Sequence, residues 1–355
     1  MEEAASTNPT SDVDLDIRMM RFEHLMDRRP FLVNDVLLRQ NPHNVVEWEK
    51  RVSLWGDNKS MIVETYFRAL EAINPKKSAG KLSNLWVNFA KMYENGDDLQ
   101  NARTIMEKAI KVPFKSPNEL AEIWCQWAEM ELRHDQFGQA VELMKKATQA
   151  PKKSTVNYFD DSLTPQARLH KSTKLWSFYV DLVESVESLE ETKAVYDRIF
   201  ELKIVTSQTI VNYANLMEEN SYFEESFKIY ERGLDLFSYP VAFELWNLYL
   251  VKFMKRYGGT KLERTRDLFE QALDGCPDKF AKALYLMYAE LEEKYGLVRN
   301  AMRIYERASK AVAEEDRFEI FTFYITKSAQ NFGLTSTRPI YERAIERLPD
   351  RHAKD

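Results

Sequence analysis

The 355-residue chain is poor in glycine and cysteine, with 10 and 2 residues respectively. Scarce glycine and few runs of β-branched residues indicate an all-helical protein. The two cysteines, Cys125 and Cys276, indicate reduced thiols of an intracellular protein rather than a disulfide scaffold. No apolar run reaches the roughly 18 residues of a membrane span. Acidic residues follow Met1, where a secretory signal peptide would carry basic ones. The composition therefore argues against a disulfide-rich secreted protein and against a membrane-spanning one.

Motifs of catalysis and of ligand binding are also missing. There is no glycine-rich phosphate loop and no pair of cysteines or histidines at metal-binding spacing. The run Tyr257-Gly258-Gly259 is too short for a nucleotide site and predicts a helix end with glycine at positive φ. The sequence therefore predicts a protein that is not an enzyme and has no cofactor, metal or small-molecule ligand.

An excess of basic residues is absent as well. The formal net charge is −6, and residues 1–16 supply five acids and no base. The remaining body is close to neutral, unlike a general nucleic-acid binder. Residues 1–16 are acidic, polar and poor in aromatics, which predicts a disordered segment.

What the chain does contain is a repeated motif. Tyr305-Glu306-Arg307-Ala308 returns 36 residues later as Tyr341-Glu342-Arg343-Ala344. We call the first position of this motif the B slot. It is filled eight times, by Tyr66, Met106, Met144, Tyr196, Tyr230, Phe269, Tyr305 and Tyr341. A period of about 34–47 residues is typical of helical-pair repeats, which form extended binding surfaces.

A second position recurs about 20 residues before each B slot, and we call it the A slot. It is filled by Trp48, Trp86, Trp124, Trp176, Ile210, Trp246, Tyr285 and Phe321. An aromatic residue often follows at i+3 and a small residue at i+4, so these positions share one helix face. Alanine three residues after the B slot allows close backbone approach. Arginine two residues after it is expected to stay hydrated or to pair with a carboxylate.

The two slots predict an all-α fold, a right-handed α-solenoid of about eight helix pairs over residues 17–350, with a tail at 351–355. Repeating rings in phase fit core packing far better than stacking on bases. The predicted structural core contains Trp48, Trp86, Trp124, Trp176, Tyr196, Tyr230, Trp246, Tyr285, Tyr305 and Tyr341.

One gap between B slots is 52 residues long and holds an insertion, residues 151–174, between the third and fourth repeats. It carries five basic residues against Asp160 and Asp161, and two aromatics outside the repeat phase. Its candidate partner or RNA contacts are Lys152, Lys153, Tyr158, Phe159, Arg168, Lys171 and Lys174. Long loops are often functional. Two interpretations stay open: a solvated loop with its aromatics tucked against the repeats, or a docking point for an acidic protein segment or an RNA phosphate.

Longer runs carry a family resemblance. They are Met26-Asp27-Arg28-Arg29-Pro30, Val36-Leu37-Leu38-Arg39-Gln40-Asn41-Pro42-His43, Lys193-Ala194-Val195-Tyr196-Asp197-Arg198-Ile199, Tyr222-Phe223-Glu224-Glu225-Ser226-Phe227-Lys228 and Lys261-Leu262-Glu263-Arg264. With the slots, they resemble the HAT (half-a-tetratricopeptide) repeat family. Within that family they resemble the Syf or XPA-binding protein two splicing factors, relatives of crooked neck. The resemblance runs from about Val13 to Asp355.

This resemblance implies a nuclear, non-catalytic scaffold of the spliceosome, in the nineteen complex, with some members linked to transcription-coupled repair. It implies crooked-neck-like protein and an aquarius-type intron-binding helicase as partners. RNA contact is expected to be indirect, and neither a membrane nor a small molecule is expected as a partner. Family members are longer, so the chain is expected to be a central portion that ends at a truncation point near residues 351–355.

Three other functions are compatible with helical pairs. One is direct RNA binding along a basic groove, which the near-neutral body disfavours. Another is a HAT scaffold for a different RNA-processing step, such as mRNA 3′-end cleavage. The third is an enzyme subunit built on helical pairs, such as a prenyltransferase α chain, which the lack of a cofactor motif disfavours.

Overall fold

The computed structural model describes residues 9–150 and 157–349, and side chains from residue 13 onward. Its regular elements in those ranges are α-helices, joined in three places by a short 3-10 turn. A single isolated bridge pairs Asn44 with Ala79, and the described residues form no β-strand. The all-α fold class predicted from the slots is confirmed.

The chain divides into two compact units, residues 1–204 and residues 205–355. The helices of the first unit are α1 (Pro9–Gln40), α2 (Val45–Leu54), α3 (Lys59–Ala72), α4 (Leu82–Glu94), α5 (Leu99–Ala109), α6 (Pro117–Arg133), α7 (Phe137–Ala147), α8 (Pro165–Arg168), α9 (Thr173–Val186) and α10 (Leu189–Glu201).

The second unit contains eight helices among the described residues. They are α11 (Ser207–Glu219), α12 (Phe223–Leu234), α13 (Val241–Tyr257), α14 (Leu262–Leu273), α15 (Asp278–Tyr295), α16 (Val298–Ala311), α17 (Glu314–Phe332) and α18 (Arg338–Arg347).

Eight helix pairs follow from these bounds, four in each unit. Pairs 1 to 4 are α2–α3, α4–α5, α6–α7 and α9–α10, and pairs 5 to 8 are α11–α12, α13–α14, α15–α16 and α17–α18. The first helix of every pair carries an A slot and the second carries a B slot. The predicted number of repeats is therefore confirmed.

The boundaries of these helices follow from local chemistry. Asn58, Asp98, Ser116 and Ser188 each accept a backbone N–H bond at a helix start, which satisfies one of the free donors there. Helix α13 ends at Tyr257, and Gly258, with a φ of 49°, is its C-terminal cap. Glycine adopts this left-handed conformation without the strain of a Cβ atom, as the Tyr257-Gly258-Gly259 run predicted.

Aromatic stacking joins consecutive repeats within a unit. The ring at the B slot lies on the ring three residues after the A slot of the next pair. Tyr66 stacks on Phe89 with centroids 4.6 Å apart, and Phe269 stacks on Tyr288 at 4.9 Å with planes 1° apart. Two further stacks have the same arrangement: Tyr230 on Tyr249 at 5.6 Å and Tyr305 on Tyr324 at 6.0 Å. The i+3 aromatic of the sequence pattern therefore forms half of each of these four stacks.

The small residue after the B slot allows the two helices of a pair to approach closely. Ala69, Ala109, Ala272 and Ala308 are fully buried at this position. In the fifth pair the position is Gly233, where a Cβ atom would lie 2.5 Å from Cδ1 of Ile210, the A-slot residue. Real Cβ atoms do not approach carbon so closely, so alanine at position 233 would require the Ile210 side chain to shift.

The first helix differs from the disorder expected for residues 1–16. Helix α1 begins at Pro9, so residues 9–16 form its first turns, whereas residues 1–8 lie outside the described residues. Extending an existing helix adds one hydrogen bond per residue and avoids the cost of nucleation. Asp14 pairs with Arg18 at 2.8 Å, and acidic residues near a helix N-terminus interact favourably with the helix dipole.

Candidate partner-binding surface

The insertion is bound to the third repeat rather than free of it. Of residues 151–174, Lys152 and Lys153 lie outside the described residues. The Tyr158 hydroxyl donates to Asn118 Oδ1 at the start of α6, at 2.8 Å. Gln166 Nε2 donates to the Val112 carbonyl at 2.9 Å. These bonds place the end of the insertion on the chain that enters α6.

Arg168 is part of this attachment. Its side chain is 5% exposed, and Nη1 donates to the Tyr158 carbonyl at 3.0 Å and to Asp161 Oδ1 at 3.2 Å. The next but one residue, His170, is buried, and its burial lowers the pKa of the imidazole. A buried, bonded guanidinium stabilises the loop itself and is not presented to a partner.

The other predicted contact residues are distributed differently. Lys174 is exposed but pairs with Glu122 on α6. Lys171 is half-buried and forms no ion pair among the described residues. Phe159 is 84% exposed and meets only the edge of Tyr158, with centroids 5.3 Å apart. The structure therefore brings Tyr158, Phe159 and Arg168 together, but it does not bring the described basic residues into one exposed cluster.

The rings assigned to the structural core differ in exposure. Seven are at most 9% exposed: Trp86, Trp176, Tyr196, Tyr230, Trp246, Tyr285 and Tyr305. Trp48 and Trp124 are half-buried. Tyr341 departs from the expected burial, since it is 52% exposed. It occupies the B slot of α18, and no described helix follows to place a ring on it.

The Glu-Arg dipeptide after the B slot links successive second helices. Arg307 donates to both carboxylate oxygens of Glu270, at 2.6 and 2.7 Å. Arg343 donates to Glu306 at 2.7 Å. The Arg307 guanidinium lowers the pKa of Glu270, chiefly through its hydrogen bonds. The sequence left two alternatives for the arginine after the B slot, hydration or pairing with a carboxylate. Arg307 and Arg343 both pair with a carboxylate.

Two buried ion pairs were not anticipated from the sequence. Arg103 donates to both carboxylate oxygens of Glu131, at 2.8 and 2.6 Å. Arg266 likewise donates to both carboxylate oxygens of Glu292. Glu131 and Glu292 are 2% and 1% exposed. Burial opposes ionisation of Glu292, but the bonds from Arg266 and from the Leu297 N–H outweigh it and lower its pKa.

The two ion pairs occupy equivalent positions in their repeats. Their fixed spacing from the A and B slots is a signal that could have been found in the sequence. Each arginine stands three residues before a B slot, and each glutamate stands seven residues after the next A slot. Other repeats place apolar or aromatic side chains at one or both positions. The pairs therefore replace apolar packing at two of the inter-repeat contacts.

A cluster of cations surrounds Glu224 at the start of α12. Lys261 Nζ lies 2.5 Å from Glu224 Oε1, Arg264 donates at 3.1 Å, and the Tyr257 hydroxyl also donates. The bond from Lys261, followed by that from Tyr257, lowers the pKa of Glu224 to about 2. The carboxylate is 46% exposed, so the cluster lies on the surface of the second unit.

Helix α1 carries the densest set of exposed large apolar side chains among the described residues. Exposed fractions reach 69% at Met20 and 60% at Phe22. The same helix packs on α2, where Asn34 Nδ2 donates to the Glu47 carbonyl at 2.8 Å. Exposed apolar patches of this kind are typical of surfaces that contact other proteins.

Two features of the described residues bear on catalysis. None of their histidine, cysteine, aspartate and glutamate side chains form a group of three placed to hold a metal ion. Burial raises the pKa of the Cys125 thiol to about 12, so the thiol stays protonated and a poor nucleophile. None of the helices in the described part of the chain has the length and apolarity of a membrane span.

Comparison with known proteins matches the whole chain to helical-repeat families. Residues 75–355 match the family model described as "Pre-mRNA-splicing factor Syf1/CRNKL1 C-terminal HAT repeat". Residues 1–73 match "Pre-mRNA-splicing factor SYF1 middle HAT repeat". The boundary between the two models falls directly after α3, between the first and second helix pairs.

Individual relatives agree with the family models. The pre-mRNA-splicing factor syf1 of Aspergillus fumigatus is 74% identical over 345 residues, which is 97% of this chain and 41% of that protein. Pre-mRNA-splicing factor cwf3 of Schizosaccharomyces pombe is 54% identical over 99% of this chain and 45% of its own length. Pre-mRNA-splicing factor SYF1 of Homo sapiens is 53% identical over 97% of this chain and 40% of its own. The chain thus spans about two fifths of the length of these curated relatives.

Proposed function

Since the chain belongs to the Syf1 family of HAT-repeat pre-mRNA-splicing factors, we propose that it is a non-catalytic scaffold that binds spliceosomal proteins. The observation that carries the proposal is the array of eight helix pairs, matched to that family along the whole chain. Helical-pair arrays expose long surfaces that suit the binding of other proteins. The arrangement of the described side chains supports binding rather than chemistry.

We further propose nuclear localisation and partners from the nineteen complex. Crooked-neck-like protein and an aquarius-type helicase are the specific candidates that the family resemblance suggests. The body of the chain is close to neutral, which favours protein partners over direct binding along RNA.

The test is affinity capture with the tagged 355-residue chain from nuclear extract, followed by mass spectrometry. We expect spliceosomal proteins to be enriched over a parallel capture from cytoplasmic extract. Ribonuclease treatment of a second nuclear sample should leave the same proteins bound. Enrichment of mRNA 3′-end cleavage factors instead would replace splicing with that step. Loss of all partners after ribonuclease treatment would favour direct RNA binding.

We propose that the insertion is a docking point for an acidic protein segment or an RNA phosphate. It would be formed by Phe159 with Lys152, Lys153 and Lys171. Phe159 offers an exposed ring, and Lys171 is not consumed by an ion pair among the described residues. Arg168 and Lys174 are excluded because they bind Asp161 and Glu122.

The docking test compares two triple variants in the same capture assay. Replacing Lys152, Lys153 and Lys171 with Gln should release at least one captured partner. The matched control replaces Lys228, Lys255 and Lys279 with Gln, because these lysines are exposed on α12, α13 and α15 of the second unit, whereas the insertion belongs to the first. If both variants lose the same partners, the effect arises from net charge alone. If neither variant loses a partner, the insertion is only a spacer.

A further inference from the structure

An acidic cleft lies in the second unit, between the C-terminal ends of α12 and α14. Its volume is about 550 Å³, and its walls combine carboxylates with aromatic rings. The residues that matter here are Glu231, Asp235, Phe237, Tyr239, Trp246 and Asp274. None of the described lysines and arginines lines the cleft.

Two of the carboxylates lack a cation. Glu231 accepts bonds from the Tyr249 hydroxyl at 2.7 Å and from Arg264 at 3.2 Å. Asp235 and Asp274 are exposed and form no ion pair among the described residues. The cleft therefore presents two uncompensated negative charges beside a third that is already bound.

The positions of Asp235 and Asp274 are electrostatically unfavourable. Each is the C-terminal cap of its helix, where the helix dipole is already negative and a cation would be preferred. The second helices of the other six pairs end with an uncharged cap: Ile73, Ile110, Thr148, Leu202, Val312 and Leu348. Among the described second helices, aspartate caps thus occur only on the two that line the cleft. A bound cation would relieve the repulsion at both.

Trp246 supplies a hydrogen-bond donor beside these carboxylates. The side chain is 9% exposed and lines the cleft. Trp48 and Trp176 donate their indole N–H to the preceding loop at 2.9 and 2.7 Å, whereas Trp86 and Trp124 have no acceptor among the described residues. No described residue accepts a bond from the Trp246 indole. The cleft therefore offers the Trp246 indole N–H, which has no acceptor among the described residues, as well as its carboxylates.

We propose that this cleft binds an arginine-bearing segment of a partner protein. The guanidinium would meet Asp235 and Asp274, since planar guanidinium suits carboxylates and stacks on aromatic rings such as Tyr239 and Phe237. A backbone carbonyl of the same segment would accept the Trp246 N–H. The carboxylates repel phosphate, so the charge pattern selects a basic protein segment and rejects RNA.

The inference rests on the proposed scaffold function only for the origin of the segment. Binding of a synthetic peptide can fail while affinity capture of spliceosomal proteins succeeds, and the reverse can also occur. The two proposals are therefore tested separately.

The experiment titrates the 355-residue chain with a short acetylated Gly/Ser peptide that carries arginines. Nitrogen–proton correlation NMR follows the Trp246 indole signal, assigned with Trp246→Phe. We expect this signal to shift on binding, and an otherwise identical peptide with citrulline, a neutral isostere of arginine, to leave it in place. Equal shifts with both peptides, or no shift with either, would overturn the proposal.

Two double variants complete the test. Asp235→Asn with Asp274→Asn should weaken the binding of the arginine peptide about tenfold. The melting temperature of this variant should stay level or rise, because an unfavourable charge is removed from each cap. The control, Asp267→Asn with Glu290→Gln, makes the same change in net charge at exposed positions outside the cleft and should bind like the parent. Equal weakening by both variants would show general electrostatic attraction and refute a specific cleft.

Discussion

At the scale of single residues, the contacts between repeats use two kinds of side chain. Most contacts are aromatic stacks, such as Phe269 on Tyr288, which bury apolar area and tolerate small shifts. Two contacts add a buried Arg–Glu pair, Arg103–Glu131 and Arg266–Glu292. Such a pair is costly to break, because the remaining carboxylate stays buried without its counter-charge. The contacts with an ion pair should therefore be more sensitive to substitution of one partner than the aromatic stacks.

The first prediction concerns the Arg266–Glu292 pair. Arg266→Ala should lower the free energy of unfolding by about 3–5 kcal/mol, because it leaves Glu292 buried and uncompensated. Arg266→Met combined with Glu292→Leu should recover most of that loss, since it replaces the pair with apolar packing. Urea denaturation followed by circular dichroism measures both. If the double variant is as unstable as Arg266→Ala, the pair has a role beyond charge compensation.

The second prediction compares a buried ring with an exposed one. Trp176 is 3% exposed, and its indole bonds to the His170 carbonyl. Trp176→Ala should cost about 3–5 kcal/mol, through lost burial and the cavity that remains. Phe159→Ala, at a ring that is 84% exposed, should change stability by less than about 0.5 kcal/mol. A Trp176→Ala variant that melts like the parent and loses a partner would make Trp176 a binding residue.

At the scale of elements, ion pairs lie between neighbouring helices as well as within them. Glu224 on α12 binds Lys261 and Arg264, which lie at the start of α14. Arg307 on α16 binds Glu270 on α14. Each pair joins a helix to its counterpart in the adjacent repeat, so charge helps to set the register between repeats. These pairs are partly exposed and are screened by salt.

The third prediction is a pH dependence that arises from Glu224. Its folded-state pKa, about 2, lies below the value of about 4.3 for an unfolded glutamate. Its stabilising contribution is therefore complete above the unfolded pKa and is lost as pH falls toward 2. The melting temperature should decrease through this window, and it should decrease less in Glu224→Gln.

Comparison with another carboxylate isolates the effect. Glu94, Glu270 and Glu292 also have lowered pKa values, so the parent should lose stability from several sites. Glu107→Gln removes an exposed carboxylate on α5 that has no ion pair among the described residues. Its pH profile should match the parent. If Glu224→Gln also matches the parent, the cation cluster contributes nothing to stability.

The fourth prediction concerns the attachment of the insertion. Arg168→Gln removes the bonds to the Tyr158 carbonyl and to Asp161. Cleavage by a limiting amount of protease within residues 157–164 should become faster, because local opening becomes easier. The control is Lys171→Gln, which removes a nearby positive charge but no ion pair among the described residues. This variant should be cleaved at the parental rate. Equal cleavage of all three proteins would mean that Arg168 does not hold the loop.

At the scale of the whole chain, burial is unevenly distributed. Helix α1 exposes most of its large apolar residues, and α18 exposes Tyr341 and Ile345 at 52% and 72%. The intervening pairs bury their rings and alanines, as at Tyr230 and Ala272. Local stability follows the number of buried apolar contacts, so it should be lowest in the first and last described helices.

The fifth prediction is a pattern of amide hydrogen exchange along the chain. Exchange should be fastest before about Val45 and after about Phe332, and slowest within α4–α6 and α13–α16. Mass spectrometry of peptic fragments measures this profile. Addition of a partner that covers α1 should slow exchange there selectively. Uniform protection along the whole chain would contradict the expected gradient.

Much of this molecule was determined by the sequence alone. The period of the A and B slots depends on residues within one helix, and such local spacing is readable without a structure. The all-α class and the eight pairs followed from it, and the glycine end of α13 followed from the Tyr257-Gly258-Gly259 run. The binding partner of a charged side chain could not follow, because it lies on another helix and depends on side-chain packing.

Only the tertiary structure decided which charges are available to partners. It buried Arg168 against Asp161 and paired Lys174 with Glu122, although both cations look exposed in the sequence. It also brought Asp235 and Asp274, 39 residues apart in the chain, to the two sides of one cleft. The physical reason is that repeats pack on their neighbours, so residues one period apart become adjacent. Their mutual neutralisation or repulsion then depends on packing geometry that no local pattern contains.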